Sequence, residues 1–235
     1  MCDDHRLHLS RRAVLAGGAT AFFAGPLASP ALAQGAAAPN AIKPDDALKR
    51  LMEGNARYAA NTSSNKDFTA GRVARVSAQY PFAAILSCAD SRVAPELAFD
   101  EGPGELFVVR VAGNFVNDDG LASLEYGVKF LGIPLIMVLG HTNCGAVDAT
   151  IKVLKDNAKL PGHLPGLIDA IKPAVAAAKK AKPENLLEES IIENVRHNVT
   201  RLTNAKPIVS QMISDGKVRV VGGVYDLASG RVRVV

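Results

Sequence analysis

Four stretches of strand length along the chain are mostly apolar, and segments with helical periodicity separate them. The apolar stretches are residues 82–87, 105–111, 134–139 and 217–225. Continuous apolar runs are typical of strands that are buried on both faces, as in a parallel sheet. The helical segments lie at residues 120–131, 145–158, 166–180 and 184–214. This alternation predicts an α/β fold with a central, mostly parallel β-sheet flanked by helices.

The segments before the first and after the last apolar stretch predict a helix and a hairpin, respectively. Pro44-Asp45-Asp46 opens a helix, because proline suits the first helical position and acids suit the positive end of the helix dipole. An apolar stripe at helical spacing follows: Leu48, Leu51 and Met52. This segment predicts an N-terminal helical arm. At the other end, residues 225–230 predict a hairpin that returns as residues 231–235, and the sequence has no internal repeat and no sign of a second domain.

The composition is that of an ordinary globular protein, with 48% hydrophobic and 21% charged residues among 235. Aromatic residues make up 5% and Trp is absent, so the core consists mostly of Val, Ile, Leu and Ala. The net charge of +4 is mild, and the basic residues are scattered. A nucleic-acid-binding surface requires a clustered basic patch with stacking aromatics. We therefore expect no nucleic-acid partner.

The first 33 residues have the features of an export signal. A polar start leads into Ser10-Arg11-Arg12-Ala13-Val14-Leu15 and a mildly apolar stretch, and Ala31-Leu32-Ala33 matches an A-x-A cleavage pattern. The paired arginines resemble a twin-arginine signal, and an ordinary secretory signal is the alternative. The apolar part is too short and too rich in Gly and Ala for a stable membrane span.

From these features we predict a signal peptide at residues 1–33, a flexible spacer at residues 34–43 and a single catalytic α/β domain at residues 44–235. We also predict a periplasmic or secreted protein without a stable membrane anchor. Cys2 would be removed with the signal, which leaves Cys88 and Cys144. In an oxidising compartment two cysteines favour a disulfide. The alternative is a metal site, because the twin-arginine route exports folded proteins and a metal loaded beforehand would cap both thiolates.

Three residues of metal-ligand type, two cysteines and one histidine, follow the predicted strands. Cys88 comes after the first apolar run, His141 after the third, and Cys144 begins the next helix. The carboxyl ends of parallel strands form the functional crevice of such folds, so neighbouring strands would bring these side chains together. One His and two Cys suit zinc, and three protein ligands leave the fourth tetrahedral position for a water with a pKa of about 7. The sequence predicts one catalytic Zn²⁺ per chain.

Asp90 and Arg92 lie next to Cys88 and leave alternatives open. Asp90 could ligate the metal and close the site, or it could pair with Arg92 and orient or deprotonate the bound water. A different enzymatic interpretation is a Cys88 nucleophile assisted by His141, which leaves Cys144 unexplained. Alternatively, the cysteines and the histidine could be ordinary buried residues, and Asp90 and Arg92 a structural ion pair, with no role in metal binding or catalysis.

The segment Cys88-Ala89-Asp90-Ser91-Arg92, followed by His141-Thr142-Asn143-Cys144-Gly145, resembles the paired motifs of the β-class carbonic anhydrases. The likeness extends through residues 103–114, 123–126 and 223–226, so it covers essentially all of the predicted mature chain. The resemblance implies reversible hydration of carbon dioxide to bicarbonate and a proton, by attack of zinc-bound hydroxide on CO2.

Individual residues can be matched to the roles of the family. Cys88, His141 and Cys144 correspond to its zinc ligands, and Asp90 and Arg92 correspond to its catalytic dyad. Some bacterial members bind bicarbonate at a second, inhibitory site that uses a Trp, and this chain has none. We therefore expect the open type of site, with Asp90 paired to Arg92 at neutral pH.

Three further residues correspond to substrate-binding positions of the family: Gln79, Phe107 and Tyr126. In the family such groups come partly from a neighbouring subunit, so the resemblance implies a homodimer or tetramer. A hydrolase of carbon disulfide or carbonyl sulfide on the same fold is the nearest alternative. A non-catalytic zinc protein, such as a sensor or metal store, is another, although a store has no use for Asp90 and Arg92 beside an open site.

Overall fold

The structure is a computed structural model that describes residues 38–64 and 66–235. Its strands are β1 (Ala83–Ser87), β2 (Leu106–Arg110), β3 (Leu135–His141), β4 (Arg219–Tyr225) and β5 (Val232–Val234). They form one sheet in the order β2-β1-β3-β4-β5. The first four strands are parallel, and β5 runs antiparallel to β4. The predicted mostly parallel α/β sheet and its closing hairpin are confirmed.

The helices of the described residues lie between and before these strands. They are α1 (Pro44–Ala59), α2 (Arg72–Ser77), α3 (Pro95–Ala98), α4 (Asp118–Phe130), α5 (Gly145–Asp156), α6 (Leu164–Ala181), α7 (Leu186–Thr203) and α8 (Ile208–Ser214). The prediction of one helix over residues 184–214 is wrong, because the chain leaves the helix at Asn204 and restarts after Pro207. Proline has no N–H to donate, and its ring clashes with the preceding turn of a continuous helix. No described helix has the length and apolar character needed to cross a membrane.

Side chains of the central strands alternate between two buried layers. Ile85 and Met137 pack on the side of α1 and α3, where Leu51 and Phe99 are fully buried. The neighbouring positions of β1 and β3 pack on the opposite side, against α4, α6, α7 and α8. Strands covered on both faces explain why their sequences are continuously apolar.

Helix α7 lies unusually close to the sheet, and two strand glycines allow this. A Cβ atom on Gly140 would lie 2.7 Å from Cγ2 of Val195, and one on Gly222 would lie 2.6 Å from Cγ1 of the same valine. Both distances are shorter than any real contact of a Cβ atom. The α7 helix can therefore rest on β3 and β4 only because these two positions have no side chain.

The packed part of the chain begins before α1. Asn40 is 3% exposed, and its amide donates hydrogen bonds to the carbonyl oxygens of Pro81 (3.1 Å) and Leu131 (2.7 Å). Asn40 lies inside the segment predicted as a flexible spacer, so the ordered fold reaches upstream of Pro44. The predicted signal peptide at residues 1–33 lies outside the described residues.

A buried carboxylate ties the end of α1 to the segment after α3. Asp100 accepts hydrogen bonds from Arg57 Nε (2.6 Å), Lys66 Nζ (2.9 Å) and the Ser64 backbone N–H (3.1 Å). Burial alone would raise the pKa of Asp100, but these donors outweigh it and hold the pKa well below its usual range. The ionised form of Asp100 therefore stabilises this corner of the fold.

Candidate metal centre

The three predicted ligands meet at the carboxyl edge of the sheet. Cys88 directly follows β1, His141 is the last residue of β3, and Cys144 is the residue before α5. The strands β1 and β3 are adjacent and parallel, so their ends lie side by side. The two sulfur atoms and a ring nitrogen lie within 4.8 Å of one another, and all three side chains are buried. The structure thus brings the predicted ligand set together.

The orientation of His141 points one ring nitrogen at this cluster. Nδ1 lies 2.9 Å from the Thr142 carbonyl oxygen, which selects the tautomer that donates there. Nε2 is fully buried and has no hydrogen-bond partner among the described residues. A buried nitrogen without a partner is costly in a folded protein, and a metal ion removes that cost.

The two thiols are free and do not form the disulfide that the sequence left open. The two thiols lie close enough to interact, and this interaction lowers the pKa of Cys88 and raises the pKa of Cys144. The backbone N–H of Gly113 donates a hydrogen bond to Cys88 Sγ, at 3.2 Å. The pair therefore already favours one thiolate, and a divalent cation displaces the remaining proton when it binds.

This donor set fits zinc. Two thiolates and one imidazole are ligand types that zinc prefers, and the donor atoms of Cys88, His141 and Cys144 lie within 4.8 Å of one another in a buried cluster. Three protein ligands leave the fourth tetrahedral position open, as in catalytic rather than structural zinc sites.

Asp90 forms a close ion pair with Arg92 beside the ligands. Arg92 Nε donates to Oδ1 at 2.9 Å, Nη2 donates to Oδ2 at 2.7 Å, and the Arg92 backbone N–H donates to Oδ1 at 2.9 Å. These bonds hold the pKa of Asp90 well below its usual range. Asp90 Oδ2 lies 3.8 Å from His141 Nε2. Of the two arrangements left open, the structure has the one in which Asp90 pairs with Arg92.

A second arginine supports this loop and was not identified from the sequence. Arg110 Nε donates to the carbonyl oxygen of Cys88 at 2.9 Å, and Arg110 Nη2 donates to that of Asp90 at 2.7 Å. Because β2 pairs with β1 in parallel, the end of β2 lies beside this loop. The sequence shows Arg110 as a charged residue at the end of an apolar strand. Its role could be inferred only with the knowledge that this strand pairs with β1.

The three predicted substrate-binding residues lie in and around one region of the chain. Gln79 and Tyr126 line one cavity of about 560 Å³, to which none of the three ligands contributes. Phe107 lies in β2 opposite Ala84, and its ring is within 4 Å of the point where a Cβ on Gly127 would stand. The structure therefore brings these residues near one another, and their role in binding substrate remains a prediction.

Two cysteines and one histidine meet at the carboxyl ends of adjacent parallel strands, beside the carboxylate of Asp90 that is paired with Arg92. This combination defines a class of zinc enzyme with one open ligand position. The sequence model of the family described as carbonic anhydrase matches residues 83–232, a range that contains all of these groups. The chain belongs to the β-class carbonic anhydrase family, and it is a zinc-containing enzyme with carbonate dehydratase activity.

Individual relatives agree with this assignment. The chain is 36% identical over 192 residues to a carbonic anhydrase of Mycolicibacterium smegmatis, covering 81% of this chain and 93% of the relative. It is 37% identical over 192 residues to carbonic anhydrase 2 of Mycobacterium tuberculosis, covering 80% and 91%. Among solved structures it is similar to the Coccomyxa β-carbonic anhydrase in complex with acetazolamide, with a TM-score of 0.63, 29% identity and coverage of 80% and 86%.

Proposed function

We propose that the enzyme hydrates carbon dioxide reversibly at a zinc ion held by Cys88, His141 and Cys144, with Asp90 and Arg92 as its catalytic dyad. The observation that carries this proposal is the position of Asp90. Its carboxylate lies 3.8 Å from His141 Nε2, while Arg92 donates to both of its oxygens. A carboxylate held in this way is an oriented acceptor beside the ligand set.

When bound by the two cysteines and the histidine, zinc would supply a hydroxide nucleophile near neutral pH, because it would lower the pKa of a water in its fourth position to about 7. The residues of the chain orient the reaction. Asp90 Oδ2 would accept a hydrogen bond from the nucleophile and so orient its lone pair toward the carbon of CO2. Arg92 prevents the carboxylate from rotating, and Arg110 holds the backbone of the loop that carries it.

We further propose that the active form is a homodimer or tetramer in which Gln79, Phe107 and Tyr126 serve the zinc site of a second copy. An exposed apolar patch lies beside these residues: Val76 is 86% exposed, Phe130 is 74% exposed, and the Tyr126 and Phe130 rings are 5.6 Å apart. Contiguous exposed apolar side chains mark interaction surfaces. A second copy of the chain would cover this patch and bring its substrate-binding groups to the partner's metal centre.

Export is proposed from the sequence. Residues 1–33 would direct the chain out of the cytoplasm, by the twin-arginine route, and the catalytic domain would act in the periplasm or outside the cell. The test is cell fractionation with sequencing of the mature N-terminus. A periplasmic protein that begins at Gln34 supports the proposal, and full-length cytoplasmic protein contradicts it. Replacing Arg11 and Arg12 by lysine is expected to block export by the twin-arginine route but not ordinary secretion.

The test of the reaction uses the mature chain from Gln34 and follows acidification of CO2-containing buffer by stopped flow, with zinc measured on the same sample. We expect rapid acidification, its loss on chelation, and a fall of about 10²–10⁴-fold in Asp90→Asn with zinc retained. Asp169→Asn, on the exposed side of α6, is the matched control and should be unchanged. Zinc without acidification overturns the proposal, and sulfide release from carbonyl sulfide by that sample would establish the alternative hydrolase.

A further inference from the structure

The backbone after β2 reaches directly to a metal ligand. The Gly113 N–H donates to Cys88 Sγ at 3.2 Å. Gly113 has φ of +85°, and a Cβ atom there would lie 2.5 Å from Cδ1 of Ile171. Only glycine fits this conformation and this space, and glycine is also the residue whose backbone turns most freely. Something else must therefore hold the Gly113 N–H toward the sulfur.

Helix α7 supplies that support through two fully buried asparagines. Asn194 Nδ2 donates to the Gly113 carbonyl oxygen at 2.7 Å, and Asn198 Oδ1 accepts from the Val116 backbone N–H at 2.9 Å. Both side chains are 0% exposed and lie one helical turn apart. Together they hold the loop at two points, one on each side of Phe115.

The asparagines also orient each other. Asn198 Nδ2 donates to the carbonyl oxygen of Asn194 at 2.8 Å and approaches Oδ1 of the Asn194 side chain at 3.3 Å. The oxygen of the Asn194 amide is thereby occupied, and its nitrogen is directed at Gly113. The amide has one orientation that satisfies both of its ends.

We infer that Asn194 is a positioning residue of the zinc centre, acting on Cys88 through Gly113. By fixing the Gly113 backbone, it keeps the N–H within hydrogen-bond distance of the thiolate. Hydrogen bonds to a ligating sulfur tune the metal–sulfur bond and fix the direction of the ligand. Loss of Asn194 is therefore expected to change the metal–thiolate bond itself, beyond any change in loop packing.

This inference rests on the metal centre of the proposed function, so its test measures the metal and does not use CO2 hydration. The variant is Asn194→Ala, and the matched control is Ser190→Ala, one turn earlier on α7. Ser190 is also 0% exposed, and its hydroxyl has no hydrogen-bond partner among the described residues. The two readouts are the sulfur-to-metal charge-transfer band of the cobalt(II)-substituted protein and the rate of zinc release to a chelator.

We expect Asn194→Ala to shift the band and to release zinc about 10-fold faster or more, whereas Ser190→Ala matches the wild type. An unshifted band and an unchanged release rate in Asn194→Ala would overturn the inference and leave a packing role only. If that variant does not fold, Asn194→Ser keeps a polar group that is too short to reach Gly113 and should give the same shift.

A measurement on the wild-type protein completes the test. In the zinc-loaded enzyme the Gly113 amide should exchange its hydrogen more slowly than the amide of the neighbouring Ala112. Equal exchange rates would contradict the bond to Cys88 and with it the inference. If zinc binds as expected but CO2 is not hydrated, the proposed reaction fails while the positioning role of Asn194 stands.

Discussion

Oδ2 of Asp90 lies 3.8 Å from Nε2 of His141, a distance longer than a hydrogen bond. Asp90 is therefore next to the ligand set but is not part of it. Both carboxylate oxygens are bonded to Arg92. For Asp90 to become a fourth ligand, the carboxylate would have to give up this bidentate pair, which is among the stronger side-chain interactions. The arrangement therefore favours a site with an open fourth position.

Subunit complementation tests whether Gln79 acts across an interface. Chains with Gln79→Ala and chains with Asp90→Asn should each be nearly inactive as homo-oligomers. Dissociating and reassembling them together should restore activity, because a mixed dimer contains one zinc site with an intact Asp90 and an intact Gln79 from the partner. Stopped-flow CO2 hydration of the mixture measures this. If the mixture is no more active than its components, Gln79 does not act in the partner's site.

The ion cluster at Asp100 predicts a dependence of stability on pH. The pKa of Asp100 is lowered in the folded chain, so its contribution to stability is present above the pKa of the unfolded chain and is lost as the pH falls. Wild type should be more stable than Asp100→Asn at neutral pH, and the difference should shrink progressively as the pH falls below about 5. Urea unfolding across this range is the measurement, and a constant difference would contradict it.

Two glycine substitutions are expected to have opposite effects, because only one of the glycines lies at the contact of α7 with β4. Gly222→Ala should lower the free energy of unfolding by about 1–3 kcal/mol, because the new methyl group would overlap Val195. Gly166→Ala, on α6 with no atom near its Cβ position, should raise it by about 0.5–1 kcal/mol through helix propensity. Chemical denaturation measures both. Adding Val195→Ala to Gly222→Ala should recover part of the loss, and strict additivity would argue against the contact.

Asn40 predicts where the stable domain begins. Asn40→Ala removes two buried donor bonds and leaves the Pro81 and Leu131 carbonyls without them, so it should cost about 2 kcal/mol of unfolding free energy. A chain that begins at Pro44 should lose about as much, while Glu184→Ala, at an exposed position between α6 and α7, should stay within about 0.5 kcal/mol of wild type. A chain from Pro44 that is as stable as the chain from Gln34 would contradict this.

The sheet and the ligand set could be predicted because both depend on patterns local in sequence. Apolar runs marked β1 and β3, and Cys88 and His141 stand at their carboxyl ends. The break in the helix before Pro207 was also visible in the sequence, since proline interrupts a helix. The short helices α2 and α3 were missed because segments of four to six residues carry too few periodic positions to be recognised.

The support of the site could not be predicted, because it depends on which elements pack together. Asn194 and Asn198 look like ordinary polar residues of a helix until α7 is known to lie on the loop after β2. Likewise, Arg110 reaches the Cys88 loop only because β2 pairs with β1. The proposed role of Gln79 and Tyr126 near zinc requires a second copy of the chain, and contacts between chains leave no local pattern in the sequence.

The separation of the ligands along the chain has a consequence for the order of events in folding. The parallel pairing of β1 and β3 brings Cys88 and His141 side by side. A long crossover that contains β2 and α4 separates them along the chain. Closing such a crossover is slow and costs chain entropy before any contact forms. Small zinc domains fold around their metal, whereas this ligand set is complete only once β1 and β3 have paired. The two thiols are therefore brought together only when the sheet folds, and the same folding buries both of them.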